Sequence, residues 1–312
     1  MVNKWSPRKL GFFLSLCFLG VSGHLARAET FYNSIEAGGR ERSFVVVTPE
    51  NARRGERLPT VVVLHGELMQ GRSMQKIFGM DRLAQSGRFA VVYPDGLKRR
   101  WNDGRSNNER GPDDVRFIRR LAEHLVSEGL ADPKRLYLLG VSNGGMLAYR
   151  VACQSPGVFT AYAAVIANMP ALVAEGCKRG DAAPMLVINS TDDRISPYEG
   201  GEVGHFHRRG EVLSTEETID FWRRYNGCSE RSQMKPLPDK DQGDGSTVQA
   251  QQFSDCQRNS AVVLLTVEGG GHVPPGADIS NRPFLQAILG GAGNQDISAA
   301  DVSWKFFKRF PL

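Results

Sequence analysis

One serine lies inside a glycine-rich pentapeptide, Gly140-Val141-Ser142-Asn143-Gly144, which has the pattern G-x-S-x-G. An apolar, strand-like segment precedes it and a helix-like segment follows, so Ser142 is predicted on a strand-to-helix turn. Glycines permit a strained backbone there, and the first helical N–H groups, beginning with that of Asn143, face the space where an oxyanion would form. Ser142 is therefore a candidate nucleophile, although the bare pattern also fits a serine that only caps a helix.

A serine nucleophile needs a base, and His272 has a suitable position. It follows the predicted strand Ala261–Val267 in the sequence EGGGHVPPG, where glycines and prolines predict a tight loop. Imidazole has a pKa of about 6.5 and accepts a hydroxyl proton at neutral pH. A surface histidine in a turn is the alternative. Three other histidines fit less well. His124 lies on the polar side of a predicted helix, and His205 and His207 lie in a polar loop.

The acid that orients such a base is predicted in the sequence STDDRISPY, directly after the predicted strand Met185–Asn189. Asp192 or Asp193 can accept the far N–H of the imidazole, and position alone does not separate them, since either also fits an ordinary turn. The order Ser, Asp, His along the chain is that of α/β-hydrolases and differs from the chymotrypsin and subtilisin orders.

Predicted strands alternate with predicted helices along the whole chain beyond residue 28. Such alternation indicates a mostly parallel sheet with helices on both faces, in one domain that spans residues 29–312. A capping box, Ser214-x-x-Glu217, opens one of the helices. The polar segment Lys235–Thr247 is predicted to be a surface excursion. The predicted strands are Ser43–Thr48, Thr60–His65, Phe89–Tyr93, Arg135–Val141, Ala163–Ile166, Met185–Asn189 and Ala261–Val267, and the predicted helices are Asp114–Ser127, Ser214–Tyr225 and Ala300–Phe310.

Residues 1–28 have the three regions of a secretory signal peptide: basic residues, an apolar run at Leu10–Val21, and Ala26-Arg27-Ala28 as a cleavage site. The run is too short for a stable membrane anchor. We therefore expect a secreted protein, extracellular or periplasmic. Cleavage would remove four basic and no acidic residues, leaving a nearly neutral chain with no basic cluster of the kind that binds nucleic acid.

The chain has five cysteines, of which Cys17 would leave with the signal peptide. Four cysteines in an oxidising compartment predict disulfides, and three pairings are possible. Order along the chain favours two short loops, Cys153–Cys177 and Cys228–Cys256. No CxxC or HxxxH spacing supports a zinc site, so no metal is predicted.

Six segments together resemble secreted esterases of the polyhydroxybutyrate depolymerase and feruloyl esterase type, in the same order and across about Val45 to Phe310. The segments are VVVLHG, FAVVYPDGLKRRWNDGR, DDVRFIRRL, GVSNGG, STDDRISPY and EGGGH. The resemblance implies the α/β-hydrolase fold, Ser142 as nucleophile, Asp193 as the acid and His272 as the base. It also implies backbone oxyanion donors at Asn143 and Glu67, and it favours the same two disulfides.

The sequence departs from that resemblance at three places. Glu67 replaces a small residue, STDD replaces HGTAD, and Val273 stands where a tryptophan commonly follows the histidine. We expect these changes to alter which esters fit, or to disfavour anionic ones. The candidate pocket residues are His65, Trp101, Asn102 and Val273.

The sequence thus predicts a serine carboxylesterase that needs no cofactor. Its expected substrates are small, oligomeric or polymeric esters: hydroxyalkanoate oligomers, polyhydroxybutyrate-type polyester, or feruloyl and acetyl esters of polysaccharides. An acyltransferase, or an inactive secreted protein that binds carbohydrate or polyester, would show the same fold.

Overall fold

The computed structural model of the chain describes residues 29–53, 55–105, 111–204, 209–277, 289 and 293–311. The predicted signal peptide, residues 1–28, and the histidines at 205 and 207 lie outside these residues. No helix among the described residues is long and apolar enough to cross a bilayer.

Ten strands form one sheet in the described part of the chain, in the order β1-β2-β4-β3-β5-β6-β7-β12-β11-β10. Six neighbouring strands, from β4 across to β12, run parallel, and antiparallel strands extend both edges. The strands are β1 Glu29–Glu36, β2 Glu41–Thr48, β3 Leu58–Leu64, β4 Ala90–Pro94, β5 Ala131–Val141, β6 Ala161–Val165, β7 Met185–Ser190, β8 Gly201–Glu202, β9 Glu211–Val212, β10 Ser232–Pro236, β11 Thr247–Phe253 and β12 Val262–Glu268. Strands β8 and β9 form a separate two-stranded sheet, and Val212 of β9 also makes an isolated β-bridge to Pro170.

Helices cover both faces of the sheet, as the sequence predicts. One apolar cluster packs α3, α4 and α6 against one face, and a second cluster packs α1, α2 and α7 against the other. In the second cluster the ring of Trp304 stacks on that of Phe89 at 3.9 Å. The helices are α1 Gly71–Phe78, α2 Met80–Gly87, α3 Asp114–Ser127, α4 Asn143–Gln154, α5 Ala171–Gly176, α6 Thr215–Tyr225 and α7 Ala299–Phe307, with a short 3-10 turn at Leu97–Arg99.

The predicted elements lie where the apolar pattern placed them, and the α/β fold class is confirmed. Helix α3 has the predicted bounds, and α6 opens with the predicted capping box, since the Ser214 and Glu217 side chains bond each other's backbone N–H groups. The pattern missed the strands at the outer edges. In β10 every residue is exposed, so no apolar face marks it, and β11 pairs with it across a hairpin within the predicted polar excursion.

A buried ion pair ties β2 to the start of α3. Arg42 donates from Nη2 to Oδ1 of Asp114 at 2.7 Å, and the two side chains are 2% and 0% exposed. The guanidinium carbon lies 3.9 Å from the centroid of the Phe117 ring, and Asp114 Oδ2 accepts the backbone N–H of Asn102. Burial raises the pKa of Asp114, and the charge of Arg42 opposes that rise. The charge of Arg42 therefore offsets part of the cost of burying this carboxylate.

Replacement of this arginine is expected to destabilise the fold strongly. Arg42→Met would leave the Asp114 carboxylate buried without a counter-charge, which lowers the free energy of unfolding by about 3–5 kcal/mol. Urea denaturation at pH 7 measures the loss. Arg40→Met, two residues away on an exposed position, is the matched control and should change the value by less than about 0.5 kcal/mol. Equal losses in the two variants would contradict the prediction.

Candidate active site

Three parallel strands bring the predicted nucleophile, acid and base to one edge of the sheet. Ser142 directly follows β5, Asp193 comes three residues after β7, and His272 comes four residues after β12. The strand ends are aligned: Val141 of β5 lies opposite Val165 of β6, and Ser190 of β7 lies opposite Val267 of β12. Because parallel strands end at the same edge, the three loops converge there.

The turn at Ser142 is strained and tightly packed. Ser142 has φ 54° and ψ −121°, a left-handed conformation that costs a residue with a side chain about 1–3 kcal/mol. Its amide donates to Val165 O at 2.9 Å, while its hydroxyl makes no capping bond to α4. A Cβ on Gly140 would lie 2.1 Å from Gly144 O. The glycines thus let α4 start directly against β5, and the serine side chain is left free of the helix.

The side chains of Ser142, His272 and Asp193 form a continuous hydrogen-bonded line. Nε2 of His272 lies 2.8 Å from Oγ of Ser142, and Nδ1 lies 2.7 Å from Oδ2 of Asp193. The other oxygen of Asp193 accepts the backbone N–H groups of Ile195 and Ser196, both at 2.8 Å. His272 and Asp193 are 8% and 6% exposed. This carboxylate can therefore accept the imidazole N–H and balance the charge of an imidazolium.

The neighbouring aspartate points elsewhere. Asp192 is exposed, and its carboxylate accepts the hydroxyl of Thr191 at 2.9 Å. Its amide donates to Gly270 O at 3.0 Å, which ties the acid loop to the base loop. Of the two aspartates that position alone left open, the structure brings only Asp193 to the histidine.

His65 fixes the peptide that precedes Glu67. Its Nε2 accepts the N–H of Gly96 at 2.9 Å, so the ring proton belongs on Nδ1, which donates to Gly66 O at 2.7 Å. In a trans peptide the carbonyl and the next N–H point in opposite directions. With the Gly66 carbonyl held toward His65, the N–H of Glu67 points away from it. A Cβ on Gly66 would lie 3.6 Å from Ser142 Cβ, so this peptide borders the serine.

The other candidate pocket residues support this edge from beneath. Trp101 is 0% exposed and donates from Nε1 to His65 O at 2.9 Å. Its backbone exchanges two hydrogen bonds with the Asn143 side chain, at 2.7 and 3.1 Å. Asn102 is 4% exposed and accepts from Arg150, and Val273 is 2% exposed. All three side chains are buried, and His65 is likewise fully buried.

Sequence reasoning missed a buried residue that completes this support. Asp103 is 0% exposed, pairs with Arg105 at 2.7 Å, and accepts from Nδ2 of Asn143 at 2.5 Å. Its only signal is a place in the WNDGR segment, which does not distinguish it from a turn residue. Asn143, whose backbone N–H is the predicted oxyanion donor, is thereby held through its side chain by both Trp101 and Asp103.

Two disulfides lie away from this edge. Cys153, at the end of α4, pairs with Cys177 after α5, and Cys228, after α6, pairs with Cys256 after β11. These are the pairs that the sequence favoured, and such bridges typically add about 2–5 kcal/mol. Among the described residues no group of histidine, cysteine or acidic side chains could hold a metal ion.

The burial of His65 gives a testable pH dependence. Burial lowers the pKa of His65 below the usual 6.5, so the unfolded chain takes up a proton that the folded chain does not. Stability from His65 is therefore full above pH 6.5 and is lost as the pH falls through that range toward the folded pKa. His65→Gln removes this titration. We expect the difference in unfolding free energy between wild type and variant to shrink from pH 7.5 to pH 5 in urea denaturation. A constant or growing difference would contradict it.

The sequence is similar to those of known esterases. Residues 42–185 match the family model described as Esterase PHB depolymerase. A putative esterase, NocK from Nocardia uniformis subsp. tsuyamanensis, is 28% identical over 90% of this chain and 83% of its own length. Probable feruloyl esterase C of Aspergillus niger is 27% identical over 77% of this chain and 72% of its own. Feruloyl esterase B of Piromyces equi is 24% identical over 74% of this chain, which spans only 42% of that protein.

A solved structure shows the same fold. The acetyl xylan esterase from Aspergillus awamori superposes with a TM-score of 0.57 at 14% identity, over 89% of this chain and 99% of that one. At this identity the likeness concerns the architecture alone. Taken with the sequence relatives, it indicates a carboxylic ester hydrolase with an α/β-hydrolase fold, similar in sequence to PHB depolymerase and feruloyl esterases.

Proposed function

We propose that the protein is a secreted serine carboxylesterase with Ser142 as nucleophile, His272 as base and Asp193 as the orienting acid. The observation that carries the proposal is the hydrogen-bonded line through these three side chains, at 2.8 and 2.7 Å. It lies at the carboxyl edge of the sheet, where ligands of open α/β sheets bind.

The reaction then has two halves. Ser142 Oγ attacks the ester carbonyl while Nε2 of His272 takes its proton, and the N–H groups of Asn143 and Glu67 stabilise the oxyanion. The imidazolium gives its proton to the departing alcohol, which leaves an acyl-enzyme. Water then attacks the acyl group, His272 removes a proton from that water, and the acid leaves as Ser142 is regenerated.

The substrate class rests on the relatives. Feruloyl esterases are among them, and the matched family model is that of PHB depolymerase esterases. We therefore propose soluble esters, either short hydroxyalkanoate oligomers or phenolic esters of plant polysaccharides, as substrates of a single catalytic domain that begins near residue 29. Secretion is supported by the signal-like sequence of residues 1–28 and by the two disulfides.

The nucleophile assignment is tested by Ser142→Ala. Without the hydroxyl no acyl-enzyme forms, and kcat is expected to fall by about 10⁴- to 10⁶-fold. The measurement uses 4-nitrophenyl acetate, methyl ferulate and a hydroxybutyrate oligomer in parallel, which also ranks the substrate classes. Ser155→Ala, at the other end of α4, is the control and should keep wild-type rates. Retained turnover in Ser142→Ala, or wild-type binding of all three esters without turnover, would overturn the proposal.

The two aspartates provide a matched test of the acid. In Asp193→Asn the amide would donate to Nδ1 of His272 and place the ring proton on Nε2, where it blocks removal of the serine proton. A loss of about 10⁴-fold in kcat is expected on 4-nitrophenyl acetate. Asp192→Asn should stay within about twofold of wild type, because this side chain is exposed and bonds only Thr191 among the described residues. Similar losses in both variants would refute the assignment.

A further inference from the structure

An ionic cluster of Glu67, Arg100 and Arg209 lies beside the catalytic serine. Oε1 of Glu67 accepts Nη2 of Arg100 at 2.6 Å, and Oε2 accepts Nη1 of Arg209. The Glu67 side chain is only 15% exposed, whereas those of Arg100 and Arg209 are 51% and 36% exposed. The carboxylate is therefore covered, and the two guanidinium groups form the outer surface of the cluster.

The cluster is held close to the site of reaction. Glu67 directly follows Gly66, which borders Ser142 as described above. The next residue, Leu68, has φ 66°, and its amide donates to Arg99 O at 2.8 Å. This bond ties the loop after β3 to the segment that carries Arg100. Arg209 reaches the same carboxylate from the loop before β9.

The cluster has an excess of positive charge. One carboxylate faces two guanidinium groups, so the formal sum is one positive charge. An arginine side chain has five N–H donors, and each of these two side chains bonds only Glu67 among the described residues. Both side chains are partly exposed, at 51% and 36%, so donors remain available to a ligand. The buried Arg42–Asp114 pair differs, because both of its side chains are enclosed and unavailable to a ligand.

This arrangement bears on the expectation that the departures from the resemblance, Glu67 among them, alter which esters fit or disfavour anionic ones. A free carboxylate near the oxyanion loop would repel anionic esters. In the structure two arginines more than neutralise Glu67, so an approaching substrate meets guanidinium groups in place of a free carboxylate. The residues that reverse the charge are far from Glu67 in the chain, at positions 100 and 209.

We propose that Arg100 and Arg209, held side by side by Glu67, bind a carboxylate of the ester substrate next to the catalytic serine. Guanidinium groups form charge-assisted hydrogen bonds with carboxylates, often two at once. The inference rests on the proposed esterase function and names its substrate class: esters that also carry a free carboxylate. A hydroxyalkanoate oligomer has one at its end, and a polysaccharide ester has one wherever it contains a uronic acid.

The test compares each anionic ester with its neutral methyl ester. Mono-4-nitrophenyl succinate and its methyl ester place the carboxylate on the acyl side. A hydroxybutyrate dimer and its methyl ester place it on the alcohol side. The quantity measured is the ratio of kcat/KM, anionic over neutral, so that intrinsic reactivity cancels between enzymes. In Arg100→Gln/Arg209→Gln we expect this ratio to fall about five- to tenfold for at least one pair.

Two further measurements make the result independent of any folding defect in the double variant. Glu67→Gln removes the negative charge and should raise the same ratio about two- to threefold. In the wild type, 0.5 M NaCl should lower it, because salt screens exposed charges. Arg88→Gln is the matched control. Arg88 also forms an exposed ion pair, with Glu56, but precedes β4 at the opposite edge of the sheet, and its replacement should leave the ratio unchanged.

The outcomes separate this inference from the proposed function. If neutral esters are turned over through Ser142 but the ratio is the same in wild type, the double variant and Glu67→Gln, carboxylate binding is overturned and the esterase assignment stands. If Ser142→Ala hydrolyses the neutral esters at the wild-type rate, the proposed function fails and this inference fails with it. A ratio that falls in the double variant, rises in Glu67→Gln and falls with salt supports it.

Discussion

The close approach of α4 to the strands beneath it is the constraint on which the site depends. Cβ atoms on Gly140, Gly144 and Gly145 would lie 2.1, 2.6 and 2.7 Å from Gly144 O, Leu64 O and Ala167 Cβ, so no side chain fits at any of the three positions. The chain must therefore turn within a single residue between β5 and α4. Ser142 takes the strained conformation, and its hydroxyl faces His272 while the first N–H groups of α4 lie at the same corner.

The polar loops around Ser142 are held in place by hydrogen bonds between their buried groups. Trp101 joins the carbonyl of His65 to the side chain of Asn143, and Asp103 holds that side chain from a further direction. If one of these buried polar groups lost its hydrogen bond, the protein would lose about 1–3 kcal/mol of stability. The hydrogen bonds are therefore expected to form together. The carbonyl of His65 and the side chain of Asn143 are thus held in place by the buried side chains of Trp101 and Asp103.

Burial also decides what each charged pair does. Arg42 and Asp114 are enclosed and hold β2 against α3, while Asp193 is enclosed with its negative charge directed at His272. Arg100 and Arg209 are paired with Glu67 but remain open to solvent, so their positive charge can still act on a ligand. A guanidinium–carboxylate pair thus stabilises the fold where it is buried, as in Arg42–Asp114. Where the guanidinium groups are exposed, as on Glu67, their charge is available to a ligand.

The sequence by itself determined the fold class, the parallel strands with their helices, and the short set of residues from which the site is built. These follow from local patterns: apolar runs, a capping box, and the G-x-S-x-G turn. Strands β1, β10 and β11 were missed because they offer little apolar pattern: β1 and β10 have no buried residue, and β11 has only Val248 and Phe253. Only the tertiary structure placed Asp193, and not Asp192, against His272, showed Trp101, Asn102 and Val273 to be buried, and set Arg100 and Arg209 against Glu67. Those outcomes depend on contacts between residues far apart in the chain, which local sequence does not encode.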